Sequence, residues 1–116
     1  MAAGHRTGKW AVKNDLTQDL DRVIHEKGRM GIMAVLAASP EMSFTDMRST
    51  LGMTDGNLTT HLRTLQEAGY VILEKTQHPQ RRPLTLCRLT PAGRVAFAGY
   101  VEALERFVAA ARHGTV

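Results

Sequence analysis

The 116-residue sequence contains one cysteine, Cys87, so no disulfide can close within the chain and no thiolate pair is available to a redox centre or a zinc site. A single cysteine fits a reducing compartment. Aromatic residues are also scarce, with three Phe, two Tyr and one Trp, which leaves Leu, Val, Ile, Met and Ala to build the core. That palette favours helices. No apolar run is long enough to span a bilayer, so no membrane role is expected. Residues 1–9 carry basic side chains without the apolar stretch or cleavage pattern of a secretory signal, and the expected location is the cytoplasm. A phosphate-binding glycine loop, a nucleophile with its base and a paired carboxylate cluster are all missing, which argues against an enzyme.

What the chain does contain is enough apolar residue for one domain, 43% of the sequence, and a formal net charge of +4. A basic balance raises the expectation of nucleic acid without establishing it.

Residues 1–14 form an arm rich in Gly, Ala, Lys and Arg that can order against the body through Trp10. Leu16, Leu20, Val23 and Ile24 recur at helical spacing and predict a first helix over residues 15–25, interrupted at Gly28. Ile32, Met33, Val35 and Leu36 predict a second over 29–38, stopped by Ser39 and Pro40. Ser43 and Asp46 have the form of a helix cap, opening a short helix to Leu51, and Gly52 supplies the left-handed residue that ends it. Thr54 caps a further helix over 54–68, so the two make a helix-turn-helix unit. Residues 70–75 and 84–89 suit two strands, joined by a polar basic link with two prolines that predicts a hairpin. Thr90 and Pro91 then open a final helix over 91–112.

Residues 54–68 carry the strongest chemical signal. Leu58, Leu62 and Leu65 define a buried face; Gly56, Asn57, Thr60, Arg63 and Thr64 lie away from it, with Thr59 and His61 at its flanks. Thr, Asn and Gly are weak helix formers, so stability alone would not select such an outward face. Short side chains let a helix approach base edges, and Asn or Arg can make paired hydrogen bonds there. A solvated amphipathic helix is the alternative. In the hairpin link, Arg81 and Arg82, with Lys75 and His78 nearby, can reach a phosphate or an adjacent minor groove. Alone, those charges would equally suit a solvated loop that discourages edge pairing.

Together these motifs resemble the winged helix-turn-helix regulators of the MarR/ArsR-like group, especially their small single-domain branch. The resemblance rests on Ser43-Phe44, Met47, the run Leu51 to Leu58, His61-Leu62, Leu65 and Ala68-Gly69-Tyr70. Arg81-Arg82-Pro83 and Leu89-Thr90-Pro91-Ala92-Gly93 carry it through the hairpin and into the final helix. It implies a mainly α fold with a small β-hairpin, a winged helix-turn-helix domain over 15–112. In it 54–68 is the recognition helix, 70–89 the wing and 91–112 a dimerisation helix. The expected DNA contacts are Thr54, Gly56, Asn57, Thr59, Thr60, His61, Arg63 and Thr64 from the helix and Lys75, His78, Arg81 and Arg82 from the wing. The resemblance implies a homodimer on a pseudo-palindromic duplex site. Its contact stripe is Phe97, Tyr100, Val101, Leu104, Phe107, Val108 and Ala111, part of which must pack on the chain's own first helix.

Metal sensing, common among ArsR-like proteins, lacks a ligand set here: His5, His25, His61, His78 and His113 are scattered and Cys87 stands alone. No cofactor is expected, and Cys87 suits an inert strand position. A small-molecule effector pocket between the wing domain and the terminal helix is left open, its lining unmarked in the sequence. The leading expectation is a DNA-binding regulator, taken as a repressor because so short a chain has little room for an activation surface. A winged helix that uses the same face to bind a protein is the competing class.

Overall fold

Five local capping events divide the chain into its elements. The computed structural model describes residues 16–114. The arm, Trp10, His5 and the start of the first expected helix lie outside the described residues. Helix α1 spans Lys27–Ala38, strand β1 Met42–Ser43, α2 Phe44–Leu51, α3 Asp55–Glu67, β2 Val71–Lys75, β3 Thr85–Leu89 and α4 Pro91–Arg112. Ser43 accepts the Asp46 amide, Thr54 that of Asn57 and Thr90 that of Gly93, each satisfying a donor the helix start leaves free. Gly52 closes α2 at φ 64°, with its N–H on the Arg48 and Ser49 carbonyls.

The fold is mainly helical with a small antiparallel sheet in the order β1-β3-β2. Val71 pairs with Leu89 and Lys75 with Thr85 along the hairpin, which Thr76 and Leu84 extend through two further hydrogen bonds. On the other edge Met42 pairs with Cys87 and Ser43 with Leu86. This third strand was not expected. It is two residues long, too short for an alternating pattern to register, and its partner lies far along the chain.

Two further expectations change. The helix foreseen over 15–25 does not continue: residues 16–18 are helical, and the chain then turns. Asp21 is the cause. Its Oδ1 accepts the amides of Val23 and Ile24, drawing them out of a helical ladder, and its Oδ2 accepts the Tyr70 hydroxyl at 2.5 Å. Gly28 does not interrupt; it sits in the first turn of α1, whose cap is Glu26, accepting from the Arg29 amide at 2.8 Å.

Ile24, Ile32, Met33, Leu36, Met47, Leu58, Leu62, Leu65, Cys87 and Tyr100 fill a single core that all helices and the sheet share. Burial pushes the Cys87 thiol up to about 11, away from the reactive thiolate form. Tyr100 donates its hydroxyl to Met30 Sδ at 3.2 Å and lies 2.8 Å from His25 Nδ1, so its polar end is satisfied inside the protein. Gly93 seats α4 directly on the backbone at Tyr70: a Cβ there would stand 2.1 Å from the Tyr70 carbonyl oxygen. Thr90 completes that joint, its hydroxyl donating to the Gly69 carbonyl and its N–H to that of Tyr70.

Candidate nucleic-acid interface

Helices α2 and α3 are joined by three residues, and α3 is anchored by Leu58, Leu62 and Leu65, all essentially buried. That anchoring fixes which way the rest of α3 points. Gly56, Asn57, Thr59, Thr60 and Arg63 are exposed, and a Cβ on Gly56 would meet nothing within 4 Å. Among the described residues the side chains of Asn57, Thr59 and Arg63 have no hydrogen-bond or ion-pair partner. Thr59, Arg63 and Gln66 share a recess with Leu73 and Thr85 of the hairpin, so the outward face of α3 runs into the wing.

Three expected helix contacts are engaged within the protein. Thr54 spends its hydroxyl oxygen on the cap, and Thr64 donates its hydroxyl to the Thr60 carbonyl at 3.2 Å. His61 turns back toward α1, with Nδ1 at 3.3 Å from Arg29 Nη1 and 3.6 Å from Glu26 Oε1. Gly28 makes room for it, because a Cβ there would stand 2.7 Å from the imidazole. The Arg29 amide holds the Glu26 carboxyl below its ordinary value, and the charges of His61 and Arg29 act in the same direction. His61 therefore positions α3 against α1 instead of facing outward.

In the wing, Lys75, His78, Arg81 and Arg82 are all exposed. His78 Nδ1 accepts the Gln80 amide, an interaction that shapes the loop, whereas Arg81 and Arg82 form no ion pair among the described residues. One pair the sequence did not announce lies at the head of α3. Arg48 of α2 donates to Asp55 at 2.6 Å across the Gly52 turn, a spacing of seven with no sequence signature.

The terminal helix divides its expected stripe. Tyr100 is 2% exposed and belongs to the chain's own core, with Phe97 stacked on it at 6.1 Å between ring centroids. Phe107 faces the segment around Leu20, Arg22 and His25. Tyr100 is thus corrected from a dimer contact to an internal one. Val101 and Val108 are exposed, Leu104 is half-buried between them and Ala111 is exposed.

No three His, Cys, Asp or Glu side chains cluster to hold a metal ion among the described residues. No helix among those residues is long and apolar enough to cross a membrane.

A helix-turn-helix, a basic hairpin beside it and a long terminal helix define the winged-helix class of fold. A family model described as a winged helix DNA-binding domain matches residues 29–108, and the chain belongs to that family. It is 34% identical over 80 residues to the uncharacterized protein MJ0432 of Methanocaldococcus jannaschii, covering 69% of this chain and 86% of that one. Its fold is similar to that of a transcriptional regulator homologue from Pyrococcus horikoshii, with a TM-score of 0.73 at 24% identity over 82% of this chain and 91% of that one. A protein of Enterococcus faecalis described as a MarR-family transcriptional regulator superposes with a TM-score of 0.70 at 20% identity, over 88% and 90% of the two chains.

Proposed function

We propose that this protein is a cytoplasmic homodimeric repressor that binds a pseudo-palindromic duplex site. Helix α3 enters the major groove, and Gly56, Asn57, Thr59, Thr60 and Arg63 face the bases. Arg81 and Arg82, with Lys75 and His78, approach the backbone or minor groove beside it. The observation that carries the reading is the outward face of α3: short polar side chains, one Arg and a bare glycine, with no side-chain hydrogen bond or ion pair for Asn57, Thr59 or Arg63 among the described residues. Such a face costs helix stability and gains nothing from water, but it fits a groove.

Val101, Val108 and Ala111 support the dimer, as an apolar strip on the distal part of α4 that is exposed beside Leu104, itself partly packed on the core. Pairing through it would set two recognition helices about 34–36 Å apart, one turn of DNA. A dimer seated on its site excludes other proteins from that duplex, which makes repression the natural outcome.

Selection of bound duplexes from a random library near physiological salt, followed by affinities at several salt concentrations, tests this. A two-fold-symmetric motif is expected. Arg81→Ala with Arg82→Ala should weaken binding to every duplex and reduce the salt slope by about one for each phosphate that the wing no longer neutralises. Binding that never appears at any salt would reject the reading in favour of a protein-interaction domain.

A further inference from the structure

Asp55 is the first residue of α3 and its one acid in the first turn, exposed at the edge of the face that Leu58 and Leu62 bury. Asp55, Thr59 and Arg63 stand four residues apart, so they form a single ridge along the helix. The Asp55 side chain is 68% exposed, yet it does not point freely into solvent, because Arg48 Nη1 holds its Oδ1 at 2.6 Å. Next to it, Gly56 leaves the helix surface bare and open to close approach.

A carboxylate on a surface that approaches DNA is opposed by the phosphates, so an acid here weakens indiscriminate binding. Inside the major groove it has a complementary neighbour. The N4 amino group of cytosine donates to it with no acceptor beside it, whereas guanine O6 and N7 and thymine O4 repel it and adenine sets a repelling N7 next to its N6 donor. The N-terminal residues of a recognition helix are those that reach base edges, and Asp55 is the first residue of α3. Arg48 fixes the direction of the carboxylate and offsets its charge toward the phosphates.

Resting on the DNA-binding reading above, we propose that the Arg48–Asp55 pair determines sequence specificity, Asp55 selecting cytosine at one position of each half-site and Arg48 aiming the carboxylate.

Library selection and affinity measurement with the full chain test it, using Asp55→Ala, Asp55→Asn, Arg48→Ala and the Arg48→Ala/Asp55→Ala double variant, each checked for helix content by circular dichroism. The unaltered protein should enrich cytosine at one position per half-site. Asp55→Ala should lose that preference, on the order of tenfold, keep the others, and bind random duplex more tightly. Arg48→Ala should weaken binding to all duplexes, and the double variant should recover more than the two single effects predict by addition. If Asp55→Ala fails to fold, the isosteric Asp55→Asn carries the test, with preference shifting from cytosine toward adenine. Identical base preferences in the unaltered and Asp55-substituted proteins, or strictly additive effects of the two residues, would overturn the proposal and leave the DNA-binding reading intact. Failure of the unaltered protein to enrich any motif would remove both.

Discussion

Helices α3 and α4 each carry a glycine in the first turn, and the surroundings of the two are opposite. Gly93 is buried against the Tyr70 backbone, where a Cβ would collide with a carbonyl oxygen at 2.1 Å. Gly56 faces open space. The outward faces of the two helices differ in parallel: Asn57, Thr59, Thr60 and Arg63 on α3, against Val101 and Val108 on the distal half of α4. One glycine serves folding, since it lets the terminal helix dock just beyond the end of α3. The other meets nothing among the described residues, in keeping with the proposed approach of that face to a groove. The same contrast separates a polar face suited to base edges from an apolar one suited to a second protein.

The largest effect follows from the buried glycine. Gly93→Ala should lower unfolding free energy by about 3 kcal/mol, because the obstacle is backbone that cannot step aside. Urea unfolding measures it, and a loss within about 1 kcal/mol would show that the α4 joint yields. Next comes the apolar strip. Val101→Glu with Val108→Glu, at positions already 36% and 42% exposed, should leave the fold intact and separate the proposed dimer. Affinity for a two-half-site duplex should then fall on the order of a hundredfold, as paired binding disappears. Sedimentation decides it: an unaltered dimer would place the interface elsewhere.

A smaller effect concerns Tyr70, which ties the end of α3 to the turn at Asp21. Its hydroxyl is pushed from 10.0 up to about 12, first by the hydrogen bond to Asp21 and then by burial and that carboxylate's charge. The folded state therefore favours the protonated phenol. The stability it adds is complete below pH 10 and is lost as pH rises from 10 through about 12. Tyr70→Phe should remove about 1 kcal/mol at neutral pH, a value reduced for the partial exposure of the pair. It should also make the alkaline slope shallower, leaving the part that Cys87 and Tyr100, both raised by burial, contribute. A variant that keeps the full slope would assign the titration to another group.

These positions also show why some of the molecule was legible in the sequence and some was not. Ser43, Gly52, Thr54 and Thr90 act on backbone within four residues of themselves, and each does what its local pattern predicts. The periodic leucines of α3 likewise fix its buried face. The break near Asp21 is made by its own carboxylate, which accepts the amides two and three residues on, is held by Tyr70 49 positions away, and overrides good helical spacing at Leu20, Val23 and Ile24. His61 sits on a flank of the wheel, where spacing cannot say whether a ring turns outward or back to Glu26 and Arg29; those partners decide it. Tyr100 matched the α4 stripe, but periodicity marks an apolar face without distinguishing its own core from a neighbour's.

The exposed glycine gives the finest discrimination between the two helices. Gly56→Ala removes backbone freedom from the unfolded chain and meets no obstacle in the folded one, so it should stabilise the protein by about 0.5 kcal/mol. Evolution for stability alone would favour that change. If α3 lies in a groove, the added methyl stands between helix and base edges. Affinity for the selected duplex should then drop several-fold, a cost on the order of 1 kcal/mol, while stability rises. A rise in stability with unchanged affinity would mean that the face of α3 does not come close to DNA at Gly56, and that its missing side chain is incidental. The opposite signs of the two effects make the measurement informative, because damage to the fold cannot account for weaker binding in a protein that has become more stable.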